Sequence, residues 1–335
     1  MLTLSLSGCG TSYLLQAARG QWQVQRQRQP IERLIASERT EPTLRSRLEL
    51  VRDARDFASR ELSLPDNRSY RSFRALGRPY VVWNVVAAPE FSVVPRRWCF
   101  PIVGCLAYRG YFHEADARRY ADRLRARGDD VMVGGVTAYS TLGRFADPVL
   151  DTMMRYGDLQ LAGTIFHELT HQKLYIKNDT DFNESLAVTI EREGLRRWLD
   201  ARGRGAELQA YLRRQQLQED VVRILATTRR DLDGLYRSDG PAEELRAGKR
   251  AIFASAGETV RRFEAAEQMR SGYHTWLDEG LNNAHLAAVG TYFDCVPAFV
   301  RLLHEQGGDL PAFFAAAKRL GRGSAAERRR FCTQQ

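Results

Sequence analysis

Lysine is almost missing from this chain. Only Lys173, Lys177, Lys249 and Lys318 occur among 50 basic residues, and the rest are arginines. A formal charge of +9 would suit a polyanion if those arginines were clustered on one recognition surface. Instead they recur through acid-interleaved stretches such as 114–127 and 191–197, the pattern of solvated helix faces, so no nucleic-acid partner is expected. Also absent is any run approaching the roughly 20 apolar residues of a membrane-crossing helix. No internal repeat or low-complexity linker divides the chain. With 335 residues, 44% of them hydrophobic, a sizeable core is affordable, and residues 21–335 are expected to form one unit after a short leading tether over 1–20.

What is present changes character along the chain. The part up to about residue 61 alternates apolar and charged residues at helical spacing, with breaks at Pro30 and Pro42, and fits two or three helices. Residues 80–87, YVVWNVVA, are β-branched and aromatic and read as a strand; 98–112 continues in that style, punctuated by Pro101, Gly104 and Gly110. A helix over 114–127 stops at Gly128, a residue suited to the left-handed cap. Residues 130–141 return to strand composition, with Gly134-Gly135 suggesting a bulge or a close backbone approach. From Asp158, a plausible N-cap, helices are predicted over 159–177, 182–200, 206–236, 242–269, 274–306 and 309–320. The expected class is α+β and predominantly helical, with a small antiparallel sheet within 75–145 and a helical part over 158–320.

Cysteine is scarce, and its places are informative. Leu6-Ser7-Gly8-Cys9 resembles the box that ends a bacterial lipoprotein signal, which would make Cys9 the site of lipid attachment and residues 1–8 disposable. The implied location is the cell envelope, lipid-anchored and facing the periplasm, with Gly10 after the cysteine favouring the outer membrane. Four cysteines then remain in an oxidising compartment. Cys99 and Cys105 are near enough in sequence to bridge locally, leaving Cys295 with Cys332, although spacing does not fix the pairing.

Histidine is scarcer than chance would need for the motif it forms. There are six in the chain, and two of them, His167 and His171, stand four apart in FHELTHQ with Glu168 between them. On a helix their rings leave one face and can grip one ion, with Glu168 placed as a base. At this composition the pattern should arise roughly 0.007 times by chance, which favours a metal site over a coincidental pair of surface histidines. A third histidine at metzincin spacing would occupy position 177 with glycine at 174; the sequence has Lys177 and Leu174, excluding that arrangement. Carboxylates follow instead, Glu184 and Glu191, and by reach along two adjoining helices either could complete the shell.

FHELTHQ followed by FNESLA resembles the gluzincin metallopeptidases, in which an Asn-Glu-x-x-Ala-like stretch of a second helix supplies the third ligand. More narrowly, WCFPIVG, YRGYF, GGVTAYSTLGRF, HELTHQ, FNESLAVTIEREG and NNAHLAAVGTY, in that order over most of 95–305, resemble a bacterial family of predicted zinc aminopeptidases, many of them lipoproteins. The resemblance implies a zincin-like fold, a single zinc ion held by His167, His171 and Glu184, and a peptide substrate. It leaves Glu191 as an alternative ligand or as the acid that orients a ligating histidine. Two imidazoles, one carboxylate and one open position describe a catalytic zinc. Glu168 would serve as general base, and Tyr292 is the candidate donor to the developing oxyanion. His285 is expected to be structural. Gly134, Gly135 and Val136, in the strand preceding the metal helix, are candidates for pairing with extended substrate; YRGYF could line the cleft, or Arg109 could equally be a buried salt-bridge partner. Glu90 and Glu191 are candidates for gripping a substrate amine. A zinc-stabilised, membrane-tethered binding or chaperone-like protein is the non-catalytic alternative.

Overall fold

The computed structural model describes residues 9–100 and 104–333. The expected signal remnant at 1–8 and the break at Pro101 lie outside the described residues, as does the side chain of Cys9. In chain order the elements are α1 (Cys9–Gln25), β1 (Gln29–Pro30), α2 (Ile31–Ala36), α3 (Pro42–Glu61), β2 (Ser72–Arg74), β3 (Val82–Pro89), β4 (Trp98–Phe100), β5 (Gly104–Leu106), β6 (Arg109–Tyr111), α4 (Glu114–Arg125), β7 (Asp129–Val136) and β8 (Val149–Leu150). The helical remainder is α5 (Asp158–Lys173), α6 (Thr180–Asp200), α7 (Gly205–Tyr236), α8 (Ala242–Glu267), α9 (His274–Glu279), α10 (Asn283–Phe293), α11 (Val296–Glu305), α12 (Leu310–Arg322) and α13 (Ala325–Thr333). The chain is mostly helical with small sheets, as its composition implied.

The apolar run 81–88 makes β3 the centre of an antiparallel sheet ordered β6-β3-β7. One face, through Val85, Ala87 and Val131, packs on Ala117, Ala121 and Leu124 of α4. Met132 and Val86 on the other face meet Ala284, Ala287 and Ala288 of α10. Small residues on α10 let that helix sit close to the sheet, and α10 in turn packs on α6. Two further sheets are small. β4 and β5 form a hairpin in which Cys99 faces Cys105, and these two are disulfide-bonded. β2 pairs antiparallel with β1 but parallel with β8, so the expectation of one antiparallel sheet is too simple. The second disulfide, Cys295 to Cys332, ties the start of α11 to α13.

Several expectations need correction. Residues 9–25, expected in part as a tether, form α1, whose Gln16 accepts from the Phe112 amide and whose Gly20 lies against the Phe112 ring, where a β-carbon would be 2.0 Å from it. Gly134 and Gly135 form no bulge: they pair in unbroken register with Asn84 and Trp83, and the room above Gly135 is taken by the Tyr80 ring, 2.3 Å from an added β-carbon. Gly157, not Asp158, caps α5, and Asp158 pairs with Arg47. The single helix expected over 274–306 is three, interrupted by Gly280 at φ +93° and by the turn at Cys295 before Pro297. Within it, 283–305 is long and apolar enough to cross a membrane by composition, against expectation, yet 67% of its apolar 18-residue window is buried inside the fold.

Candidate metal centre

The FHELTHQ motif lies on α5, whose Leu161, Ala162, Ile165, Phe166 and Leu169 are fully buried in the main core. That stripe fixes the rotation of the helix and turns His167 and His171 toward α6. α6 begins at Asp179, whose carboxylate accepts from the Phe182 amide. Asn183 clamps the connection, accepting from the Ile176 amide and donating to the Ile176 carbonyl. Two glycines allow the helices to approach. A β-carbon at Gly163 would lie 3.0 Å from Leu195 and 3.1 Å from Glu191, and one at Gly194 would lie 2.7 Å from Leu62 and 2.8 Å from Phe166.

At this approach Glu184 comes to both histidines. Its Oε2 is 3.3 Å from His167 Nε2 and 3.6 Å from His171 Nε2, and one ligand atom from each of the three residues lies within 4.8 Å of the others. The rings are 4.9 Å apart and nearly perpendicular, at 82°. Bonds of about 2.0–2.2 Å from imidazole nitrogen and carboxylate oxygen to a tetrahedral ion would space the ligand atoms roughly 3.3–3.6 Å apart. The two separations from Glu184 match that spacing, and two imidazoles with a carboxylate are donors suited to a divalent ion. Glu191 stands on the far side of His167, its Oε2 3.0 Å from Nδ1, so the two carboxylates left open by sequence are separated: Glu184 shares the face of both rings, whereas Glu191 holds the back of one. His171 Nδ1 is buried without a hydrogen-bond partner.

The electrostatics agree with a site built for a cation. Burial raises the Glu168 carboxyl above the ordinary range, partly offset by His167 and His171. Burial opposes ionisation of Glu184 as well, but His171 and His167 outweigh it and hold the carboxyl at about 2. At His167 burial disfavours the charged ring, yet the hydrogen bonds and charges of Glu184 and Glu191 prevail and raise it well above its usual value. Glu184 and Glu191 thus favour positive charge at His167, the demand that a bound cation would meet.

Tyrosines surround the site. Burial, then the charges of Glu184 and Glu168, hold the Tyr292 hydroxyl neutral. Tyr292 is positioned through its carbonyl, which accepts from Ser185 Oγ at 3.2 Å, one residue past Glu184. Tyr108 feels Glu184, Tyr292, Tyr175 and Glu168 after burial, and Tyr175 feels Glu184. Tyr70, buried at φ +61°, feels Glu168 and Asp147. Of these, sequence reasoning identified Tyr292 and only the segment holding Tyr108; Tyr175 lies two residues past the end of α5, where helical spacing does not operate. Arg109 is in no ion pair among the described residues. It lies over the rings of Tyr13 and Tyr120, 4.1 and 4.6 Å from their centroids. Glu90 is bound by Arg246 at 2.7 Å, and Glu191 is held by His167, so neither is a free anchor for an amine. His285 has a structural place: its Nδ1 accepts from the Asn282 amide, its ring lies 5.0 Å from Trp276, and burial lowers its pKa to about 4.

Gly134, Gly135 and Val136 lie on β7, the outer strand of its sheet, with β3 on one side and no strand paired to the other among the described residues. Their chain continues through Ala138 and Tyr139 into the core that holds Ile165 and Leu169.

The chain matches the family model described as "Putative aminopeptidase" over residues 12–332, and it belongs to that family. Neither a curated protein nor a solved structure matches it.

Proposed function

We propose that this member of the aminopeptidase family is a zinc-dependent peptidase with a zincin-like fold that removes residues from the free amino end of peptides. The observation that carries the reading is the convergence of His167, His171 and Glu184, with Glu184 Oε2 at 3.3 and 3.6 Å from the two Nε2 atoms and Glu168 in the same helical turn. Zinc there would acidify a water molecule and polarise the scissile carbonyl.

The chain's own residues supply the remainder. Glu168, whose burial raises its affinity for a proton, takes the proton from the attacking water and delivers it to the departing amine. Tyr292, kept neutral by burial and by two nearby carboxylates, donates its hydroxyl hydrogen to the oxygen that gains charge. Glu191 fixes the His167 ring by accepting from Nδ1–H, which leaves Nε2 as the free lone pair. The open edge at Gly134, Gly135 and Val136 pairs with extended peptide, and the absence of a side chain on Gly134 leaves room beside it.

The remaining readings concern place. Lipid attachment at Cys9 would tether the enzyme to the envelope, periplasm-facing on the outer membrane. The disulfides Cys99–Cys105 and Cys295–Cys332 support an oxidising compartment.

Glu168→Gln tests the mechanism. The variant should retain one zinc per chain by mass spectrometry while peptide hydrolysis falls by about 10²–10⁴-fold. Undiminished turnover would refute Glu168 as the base. An intact, zinc-loaded protein with no turnover that unfolds on chelation would instead be the zinc-stabilised binding or chaperone-like protein.

A further inference from the structure

Helix α1 has two faces with different neighbours. Tyr13, Gln16, Gly20 and Val24 look inward. The Tyr13 ring stacks on Phe100 and meets the edge of Tyr111, Gln16 bonds the backbone at Gly110 and Phe112, and Gly20 and Val24 are buried. At about 100° per residue these four positions span one sector of the helix. On the opposite side stand Leu14, Leu15 and Trp22, with 52%, 52% and 61% of their surfaces exposed, and Ala18 is exposed between them. Arg19 and Arg26 are exposed along one border of this apolar sector, and the Arg26 guanidinium lies 4.5 Å over the Trp22 ring. These are the largest exposed apolar side chains on any one helix of the described residues.

We propose that this face of α1 lies on an anionic phospholipid surface. Three features select that occupant. Leucine and tryptophan side by side on a helix face, bordered by arginine, match the boundary between acyl chains and headgroups: the leucines enter hydrocarbon, the indole sits at the interface, and the guanidinium groups reach phosphate. The charge is of one sign, because residues 9–31 contain Arg19, Arg26 and Arg28 but no aspartate or glutamate, which complements a negative leaflet. The helix is also fixed to the folded body by its inner face, so docking would orient the whole molecule, which a flexible lipid tether cannot do. The inference is independent of the metal centre and of peptidase activity. A lipid on Cys9, the first residue of the same helix, would act together with the face, its acyl chains entering the same leaflet.

The test uses the full chain carrying Cys9→Ser, so that no acyl group contributes. It should co-sediment with vesicles of phosphatidylglycerol and phosphatidylethanolamine and at least tenfold less with phosphatidylcholine alone. Combined Leu14→Glu, Leu15→Glu and Trp22→Glu should lower binding to the anionic vesicles at least tenfold, with an unchanged melting temperature because the inner face is untouched. Acyl chains brominated near the headgroup should quench Trp22 fluorescence, and Trp22→Phe should remove that component. Failure of the unlipidated chain to bind, or equal binding by the triple variant, would overturn the proposal. So would light scattering showing a dimer that the triple variant dissolves, which would assign the face to a second copy of the chain.

Discussion

Glu191 Oε2 lies 3.0 Å from Nδ1 of His167, on the side of the ring opposite Glu184. The contact holds the ring's rotation and, with a metal bound, would keep the proton on Nδ1 and free the Nε2 lone pair. Glu191→Gln keeps a hydrogen-bonding side chain but removes the charge that favours Nδ1–H. Zinc affinity, measured by competition with a chromophoric chelator, should fall about 10–100-fold. Glu184→Gln removes a ligand and should lose more, with the metal escaping on gel filtration. Equal affinities in the two variants would reverse the division of labour between the acids.

Tyr292 and Tyr108 both feel Glu184 and Glu168, but only one hydroxyl should serve the oxyanion. Tyr292→Phe should lower kcat by about 10²–10³-fold, with KM little changed, since the bond strengthens in the transition state. Tyr108→Phe should alter kcat less than tenfold. The opposite ranking would transfer the role to Tyr108.

Much of this centre could be read from the sequence because it is local. Residues i and i+4 share a helix face whatever surrounds them, so His167 and His171 were legible before any fold was known. Choosing Glu184 over Glu191 depends on how closely α5 and α6 cross, and that is set by Gly163, Gly194 and the side chains they admit. Tyr70 and Asp147 reach Glu168 from loops distant in sequence, where no period operates. α1 was missed for another reason. Its inner face relies on glycine and glutamine, Gly20 under Phe112 and Gln16 on two backbone groups, so no apolar stripe marks the packed side. The Gly134-Gly135 pair misled because a ring stacked over a regular strand leaves the same trace as a bulge.

The two close-packed glycines differ in what they protect. At Gly194 an added methyl would meet Leu62 and Phe166 below 3.0 Å, inside a core with no spare volume. Gly194→Ala should cost about 1–3 kcal/mol of stability, less the helix-propensity gain of about 1 kcal/mol. At Gly163 the nearest atoms include the flexible Glu191 side chain at 3.1 Å. Gly163→Ala should therefore disturb zinc affinity more than thermal stability. Calorimetry and chelator competition on the pair would distinguish the two, and a reversed pattern would place the helix contact elsewhere.

Asp147 and His285 should act against each other as pH changes. Burial raises Asp147 to about 6, against hydrogen bonds from Thr141 that lower it. The folded state therefore holds that proton more tightly than the unfolded chain, and stability from this group falls as pH rises from about 4 to 6. His285 is the reverse: burial lowers it to about 4, so below pH 6.5 the unfolded chain takes up a proton that the folded state refuses. Its contribution is complete above about 6.5 and is lost as pH falls toward 4. Each is worth on the order of 3 kcal/mol across its window, with opposite sign, and the two nearly cancel between pH 4 and 6. Asp147→Asn should unmask the histidine, so that denaturant-measured stability climbs with pH by about 1 kcal/mol per unit over that range. His285→Gln, which retains an acceptor for the Asn282 amide, should tilt the profile the other way. Parallel profiles in the two variants would show that neither group titrates differently on folding.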